Sequence, residues 1–445
     1  MNEEKEVELS MNKVYTLPTL RLVQYKDYHL AIAADLARWL VIKNDEQLDI
    51  LNALIDGSSI EAVLYKFRNS QEDALDVLTQ IEATGIETLQ KKSIFSNTRL
   101  HLHLTNQCNL CCPHCYMASG VAYADELSTE EIKDLCVNFQ NVGGTHVSLT
   151  GGEPTIRSDF LEIVEYIHRL GMKASIFSNG ILWDEEKVLR ISSYNIEGVQ
   201  ISMDGYDEPS NSVVRGPGVF EQALKTIDLL ISHRIYVKIA VTAPYEILKE
   251  HQSEYSAFFK GLIEKYGYDA LEINFSYFFM PGRKLDMGKI EKTKDEYYKL
   301  VDQVVVSIYG DISEDSFVSN IIDGVYDSCG YGGLNVMANG DFYFCDRIPD
   351  VKKVGNIRNM PFPEIYRQMK IAEEMGKIDY FSPCGSCELK YICGGGCRAE
   401  HFKDFTETED IVHINHKDIR PRQCDRKTKE KFYELMTKTY ERFYC

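Results

Sequence analysis

In the stretch TNQCNLCCPHCYM, Cys108, Cys112 and Cys115 are separated by three and then by two residues. Three thiolates so close on one loop can hold three irons of a cubane cluster, and since such a cluster has four irons, one is left open to a chelating small molecule. A zinc knuckle is the competing use of the same thiols. Structural zinc is normally closed by four ligands, however, and His114 lies between two of the cysteines, where a tight loop would strain it. A second array lies far downstream: Cys329, Cys345, Cys384, Cys387, Cys393, Cys397 and Cys424, with Gly340 ahead of Cys345. Of the 13 cysteines, Cys136 sits on the apolar face of a helical stretch and reads as core, while Cys111 and Cys445 have no evident task. Cytosolic thiols rarely serve as disulfide staples, so two clusters with a long gap between them read as metal sites.

The elements that carry these residues follow from pattern. The chain has 445 residues, enough for roughly three domains at about 150 residues each. Its net charge of −19 repels phosphate backbones and anionic lipid, so nucleic acid is not an expected partner. No apolar run reaches the ~18 residues that span a bilayer, and no membrane association is expected. The start, MNEEKEVELS, is acidic and polar where a secretory signal would be basic and then apolar, which makes the cytoplasm the expected compartment.

Between Val14 and Leu89, runs at Leu20 to Tyr25, Tyr28 to Ala33 and Arg38 to Lys43 suit strands. Three helical stretches follow, opened by Asn44, Ser58 and Ser70. Three strands and three short helices make a winged helix-turn-helix arrangement. Its third helix, QEDALDVLTQIEATGIE, is acidic and unsuited to DNA. From Thr98 onward, strand candidates at Arg99 to Leu104, His146 to Thr150, Lys173 to Phe177, Gly198 to Ser202, Tyr236 to Thr242 and Ala270 to Phe275 alternate with amphipathic helices. Six such repeats predict a parallel sheet curled toward a barrel, with its chemistry at the strand C-terminal ends. A helical bridge, Ile290 to Tyr309, leads into a Cys/Gly-rich region whose irregularity suits a fold organised around metal.

The motifs at those strand ends resemble the radical S-adenosylmethionine (SAM) enzyme family. Its signature is three cysteines at this spacing with an aromatic residue before the third, here His114. Gly151, Gly152, Glu153 and Pro154 match the family's turn after the second strand, where backbone groups and the Glu hold the methionine amine. Ser178 and Asn179 resemble the polar pair near the ribose or methionine part of SAM. Ser202 and Asp204 fall at the fourth strand end, and Arg215 resembles the arginine that clamps the methionine carboxylate. The resemblance implies one-electron cleavage of SAM to methionine and a 5′-deoxyadenosyl radical that abstracts substrate hydrogen.

The seven-cysteine array is similar to the SPASM extension of peptide-modifying relatives, which implies two auxiliary clusters and three [4Fe–4S] clusters in all. By that resemblance Cys384, Cys387, Cys393 and Cys424 close the outer cluster, and Cys329, Cys345 and Cys397 hold the inner one. The inner set has three obvious ligands. Either its open iron takes a substrate cysteine thiolate, or Cys111, Cys445 or an oxygen side chain completes it. Asp346 stands where sulfatase-maturing relatives carry a substrate base; the alternative use is as an acceptor for amides around the cluster.

The N-terminal unit resembles the RiPP recognition element, which binds the leader of a ribosomally made precursor peptide at an exposed strand edge, here Tyr28 to Ala33 or its neighbour. The expected fold is therefore α/β: a leader-binding winged helix (residues 14–92), a partial (β/α)6 TIM-like barrel (96–310) and an iron–sulfur SPASM domain (311–445). The expected reaction is an intramolecular crosslink in a precursor peptide, first a thioether of the sactipeptide or ranthipeptide kind. The expected electron donor is a flavodoxin or ferredoxin. Alternatives are carbon–carbon crosslinking, formylglycine formation, and, outside enzymes, an iron–sulfur transcription regulator.

Overall fold

The computed structural model describes residues 10–94, 97–277, 282–311, 313–322, 324–348, 351–401 and 424–443. Cys445 lies outside them. Three strands, β1 (Arg21–Tyr25), β2 (Tyr28–Ala33) and β3 (Arg38–Ile42), form an antiparallel sheet in that order. Helices Asp45–Ile55, Ile60–Lys66 and Gln71–Thr84 follow. Because strand side chains alternate, Ala31, Ala33, Leu40 and Ile42 face the unit's own helices. Leu30, Ile32, Trp39 and Val41 join the main core on the other face, and Trp39 Nε1 donates to the Met436 carbonyl at 3.0 Å. Asn44 caps the first helix as its sequence suggests, whereas Ser59 rather than Ser58 caps the second, its hydroxyl accepting from Ala62 N.

The sheet order corrects the expected docking edge. Tyr28–Ala33 is the central strand, hydrogen-bonded on both sides. The outer edge of β3 is closed at Val41, whose N–H donates to Gln80 Oε1 (2.8 Å) and whose carbonyl accepts from Gln80 Nε2 (2.9 Å). Among the described residues the open edge therefore belongs to β1, the neighbour.

The second sheet has nine strands. Its parallel body is β4 (Arg99–His103), β5 (His146–Thr150), β6 (Lys173–Ser178), β7 (Ile196–Ser202), β8 (Val237–Val241) and β9 (Leu271–Phe275), each beside the next. These are the six strands the sequence pattern predicts, within two residues. Amphipathic helices cover the sheet; Phe160–Arg169, for example, buries Phe160, Ile163, Val164 and Ile167. The capping box of Ser128 and Glu131 opens helix Thr129–Asn141, which buries Cys136. Burial pushes that thiol up to about 12, as suits a core cysteine.

On the far side of β4 the sheet continues with β10 (Leu334–Val336), parallel to it, then β11 (Asp341–Tyr343) and β12 (Gly355–Asn356), antiparallel. The cysteine-rich region thus joins the same hydrogen-bonded sheet as the barrel. The Lys91 to Ser93 stretch between the two sheets is also tied down: Ser93 Oγ donates to Asp327 at 2.5 Å. At the N-terminal end of the strands, Arg99 reaches Ser148, Ser175 and Glu197 across β5, β6 and β7. Its fork closes that end with polar contacts and leaves the C-terminal end open. Among the described residues no helix is long and apolar enough to cross a membrane.

Candidate active site

The loop leaving β4 is held from three directions before it reaches its first cysteine. Glu126 accepts from Thr105 Oγ1, Asn106 N and Tyr123 N at 3.1, 2.7 and 3.0 Å. Arg157 Nη1 donates to the carbonyls of Leu104 and Leu127 at 2.8 and 2.9 Å, and its other nitrogens pair with Asp159. The third support is the Gly-Gly-Glu-Pro turn after β5. Gly152 N donates to Thr105 O and Glu153 N to Gln107 O, both at 2.8 Å. A Cβ on Gly151 would lie 2.4 Å from Thr105 O, and one on Gly152 would lie 2.2 Å from Gln107 O. Only glycine allows this approach, and the backbone approached is that of the cysteine loop itself.

A cavity of about 450 Å³ opens at the C-terminal ends of the strands. Cys108, Cys112 and Cys115 line it together with His114, Gly151, Gly152, Ser178, Asn179, Ser202, Arg215 and Asp346. Glu153, Pro154 and Asp204 lie behind this wall. The Glu153 carboxylate is fully buried and accepts from Thr155 Oγ1 (2.5 Å), Ser178 Oγ (2.9 Å) and Asn179 N (2.7 Å). It fastens the end of β5 to the end of β6, a task the motif alone did not suggest, and burial pushes its pKa up. Asp204 is also fully buried: Oδ1 accepts from Thr242 N (2.7 Å), while Oδ2 pairs with Arg215 Nε (2.7 Å) and lies 3.6 Å from His114 Nε2. The carboxylate thus aims a guanidinium into the cavity. Arg215 Nη1 is 4.0 Å from Cys112 Sγ.

Burial pushes the thiols of Cys108 and Cys112 up, with Arg215 pulling Cys112 back. Metal must displace those protons, so loading depends on pH. Burial lowers His114, leaving a neutral imidazole. Among the described residues no three His, Cys, Asp or Glu side chains converge on a point where one metal ion would sit. Three thiols spread around one cavity, beside an arginine and hydroxyl and amide side chains, fit an iron–sulfur cluster with room for a zwitterionic ligand better than a closed zinc site. Cys111 is exposed and does not line the cavity.

Sequence reasoning missed several cavity residues. His101 and His103 point inward from β4, and Tyr116 and Arg347 join them. The alternation in RLHLH carries the signal for the histidines, since residues two apart share a face. Burial lowers both, His103 to about 4, and raises Tyr116 to about 12.

The downstream cysteines fall into two places. Cys384, Cys387, Cys393 and Cys424 line one cavity of about 270 Å³. Beside it Glu388 accepts from Lys429 at 2.7 Å and pairs with Tyr433, contacts that outweigh its burial and hold the carboxyl at about 2. Cys345 belongs to a different neighbourhood, near Cys329 and Cys397, and burial pushes its thiol well up. Arg347 Nη1 donates to Cys397 Sγ at 3.1 Å and also lines the large cavity.

Two family models match the chain: the radical SAM superfamily over residues 102–251 and the SPASM iron-sulfur cluster-binding domain over residues 328–388. The mycofactocin maturase MftC of Mycobacterium tuberculosis is 30% identical over 314 residues, 67% of this chain and 78% of that protein. The chain is a radical SAM enzyme with a SPASM domain. A second relative of this radical SAM enzyme, the AdoMet-dependent heme synthase of Nitratidesulfovibrio vulgaris, is 28% identical over 67% of this chain and 86% of its own length. Among solved structures, anSMEcpe with bound AdoMet superposes with a TM-score of 0.53 at 19% identity, over 78% of this chain and 93% of that one. The last likeness carries the fold.

Proposed function

We propose that this radical SAM enzyme matures a ribosomally made precursor peptide by installing an intramolecular crosslink, in the first instance a thioether. One observation carries the reading: Asp346 and Arg347, directly after Cys345, line the cavity of the Cys108, Cys112 and Cys115 loop. The auxiliary region thus forms a wall of the radical chamber. The β1 edge, unpaired among the described residues, and an N-terminal unit lying before the matched segment that starts at residue 102 support a leader-bearing peptide as substrate. A relative that is a maturase points the same way.

Cys108, Cys112 and Cys115 would hold the cluster that binds SAM, and the two auxiliary clusters would use the sets around Cys384 and Cys345. When bound, cluster and SAM supply a 5′-deoxyadenosyl radical that removes one hydrogen atom from a substrate carbon. Arg215, aimed by Asp204, would clamp the methionine carboxylate; Asn179 and Ser202 would offer donors and acceptors to the rest of SAM, with Ser178 holding the strand ends behind them through Glu153, Gly180 and Trp183; and the Gly151 and Gly152 turn braces the cysteine loop. His114, lining the same cavity 3.6 Å from Asp204, would add a ring to the wall of the SAM site. Asp346 faces the chamber and takes the proton released when sulfur joins carbon. A thioether product would have lost one hydrogen atom to deoxyadenosine and one proton to Asp346, and the auxiliary clusters held by the sets around Cys384 and Cys345 would supply the acceptor for the one remaining electron.

The test is anaerobic turnover of the candidate precursor with SAM and reductant. A product lighter by two hydrogen atoms that no longer reacts with iodoacetamide supports the thioether. The same mass loss with all thiols still alkylated replaces it with a carbon–carbon bond. An unmodified peptide alongside free deoxyadenosine removes the peptide reading.

A further inference from the structure

Two hydrogen-bond donors lie buried beside the three-cysteine loop without acceptors among the described residues. One is the hydroxyl of Ser119, a residue 2% exposed that lines the large cavity. The other is Arg283 Nη1. Buried polar groups are nearly always paired, and two orphans side by side need an explanation.

Their position supplies one. Arg283 follows Gly282, whose backbone presses on the loop so closely that a Cβ would lie 2.9 Å from the carbonyl carbon of His114. Arg283 N then donates to Cys115 O at 3.2 Å and Lys284 N to Pro113 O at 2.9 Å, so this short segment straps the ligand loop. Arg283 Nη2 donates to the Ser119 carbonyl. The next residue, Gly120, accepts from Cys108 N at 3.0 Å and donates to Asn106 O at 2.9 Å. Ser119 and Arg283 are thereby fixed between the first and last cysteine of the loop. The nearby carbonyls of Ser119, Cys115 and Pro113 already accept hydrogen bonds.

We infer that Ser119 Oγ–H and Arg283 Nη1–H donate to the sulfur atoms of the iron–sulfur cluster held by Cys108, Cys112 and Cys115, and that they raise its reduction potential. The inference rests on that cluster occupying this loop. Donors and positive charge near the sulfurs favour the reduced, more negative state, which is the state that must pass an electron to SAM. A guanidinium contributes charge as well as a hydrogen bond, and the hydroxyl only the latter.

The experiment is an EPR-monitored redox titration of the anaerobically reconstituted full-length enzyme, with iron and sulfide content measured and the auxiliary clusters of the same sample as internal reference. Arg283→Gln should lower the reduced-to-oxidised ratio at a fixed potential by about tenfold, 59 mV for one electron. Ser119→Ala should lower it roughly threefold, with Arg283→Lys between Arg283→Gln and the parent. If Arg283→Gln does not load, Ser119→Ala and Arg283→Lys decide. Unmoved potentials in loaded variants overturn the inference. So does a loss of SAM affinity at unchanged potential, which would give the two donors to SAM instead. If the Cys108, Cys112, Cys115 triple Ala variant loads as much iron as the parent, the cluster assignment fails and the inference with it.

Discussion

The thiols of Cys108, Cys112 and Cys115 hang from the end of one strand, whereas the downstream seven are gathered from positions 329 to 424 by short helices and turns. The first loop is braced by groups that need no metal: Glu126, Arg157 and the glycine turn. The second region has braces too, Arg398 donating to the carbonyls of Gly376, Gly394 and Gly396 at 2.6, 2.9 and 2.6 Å, but among the described residues they join short turns instead of long strands. Metal binding must organise it to a greater extent, because cross-linking by iron replaces the regular hydrogen-bond ladders that the barrel already has. The difference teaches that one protein can carry a site preformed by its sheet next to a site completed by its cofactor.

Removing the proposed metal ligands breaks the comparison most sharply. Replacing Cys108, Cys112 and Cys115 with Ala should bring deoxyadenosine formation down to background while the melting temperature changes little. Cys384→Ala should retain SAM cleavage but yield no mature peptide; both readouts come from one chromatographic assay of nucleoside and peptide.

Chelation of iron should next separate the regions by stability. In apo-protein, hydrogen exchange measured by mass spectrometry should quicken across 378–401 and 424–443 well before it does in β4 to β9. Equal protection of both would remove the distinction.

Arg157→Ala probes the metal-free bracing. It leaves the Leu104 and Leu127 carbonyls and the Asp159 carboxylate short of a partner, which should cost about 2–4 kcal/mol in chemical denaturation. Cluster loading at the first loop should fall with it.

The smallest effect concerns the seam between the regions. Arg358, just beyond β12, binds Glu131 at 2.6 and 3.0 Å and holds that carboxyl at about 2, below its ordinary 4.5. A depressed carboxyl contributes stability that is complete above pH 4.5 and lost as pH falls through about 2. Arg358→Ala should shrink that part of the acid profile to what the Ser128 capping box retains, at a cost below about 1 kcal/mol because both groups are partly exposed.

Much of this was legible residue by residue. The six parallel strands and the Ser128 capping box follow from alternation and capping, which are local effects. Ser59 displaced Ser58 as a cap because two adjacent serines offer the same chemistry, and only packing chose between them. The cysteine spacing, too, told which thiols share a loop. It could not tell that Glu153 ties β6 to β5 instead of lining the chamber, since that depends on what the neighbouring strand brings alongside.

The sequence by itself determined the strand and helix alternation and the candidate ligand types, because each depends on residues near one another in the chain. Only the tertiary structure decided that β10 extends the barrel sheet, that β1 rather than β2 holds the open edge, and that Asp346 shares a chamber with Cys108. Those relations join residues a hundred or more positions apart, or depend on which edge a distant side chain such as Gln80 covers, and no local pattern encodes them.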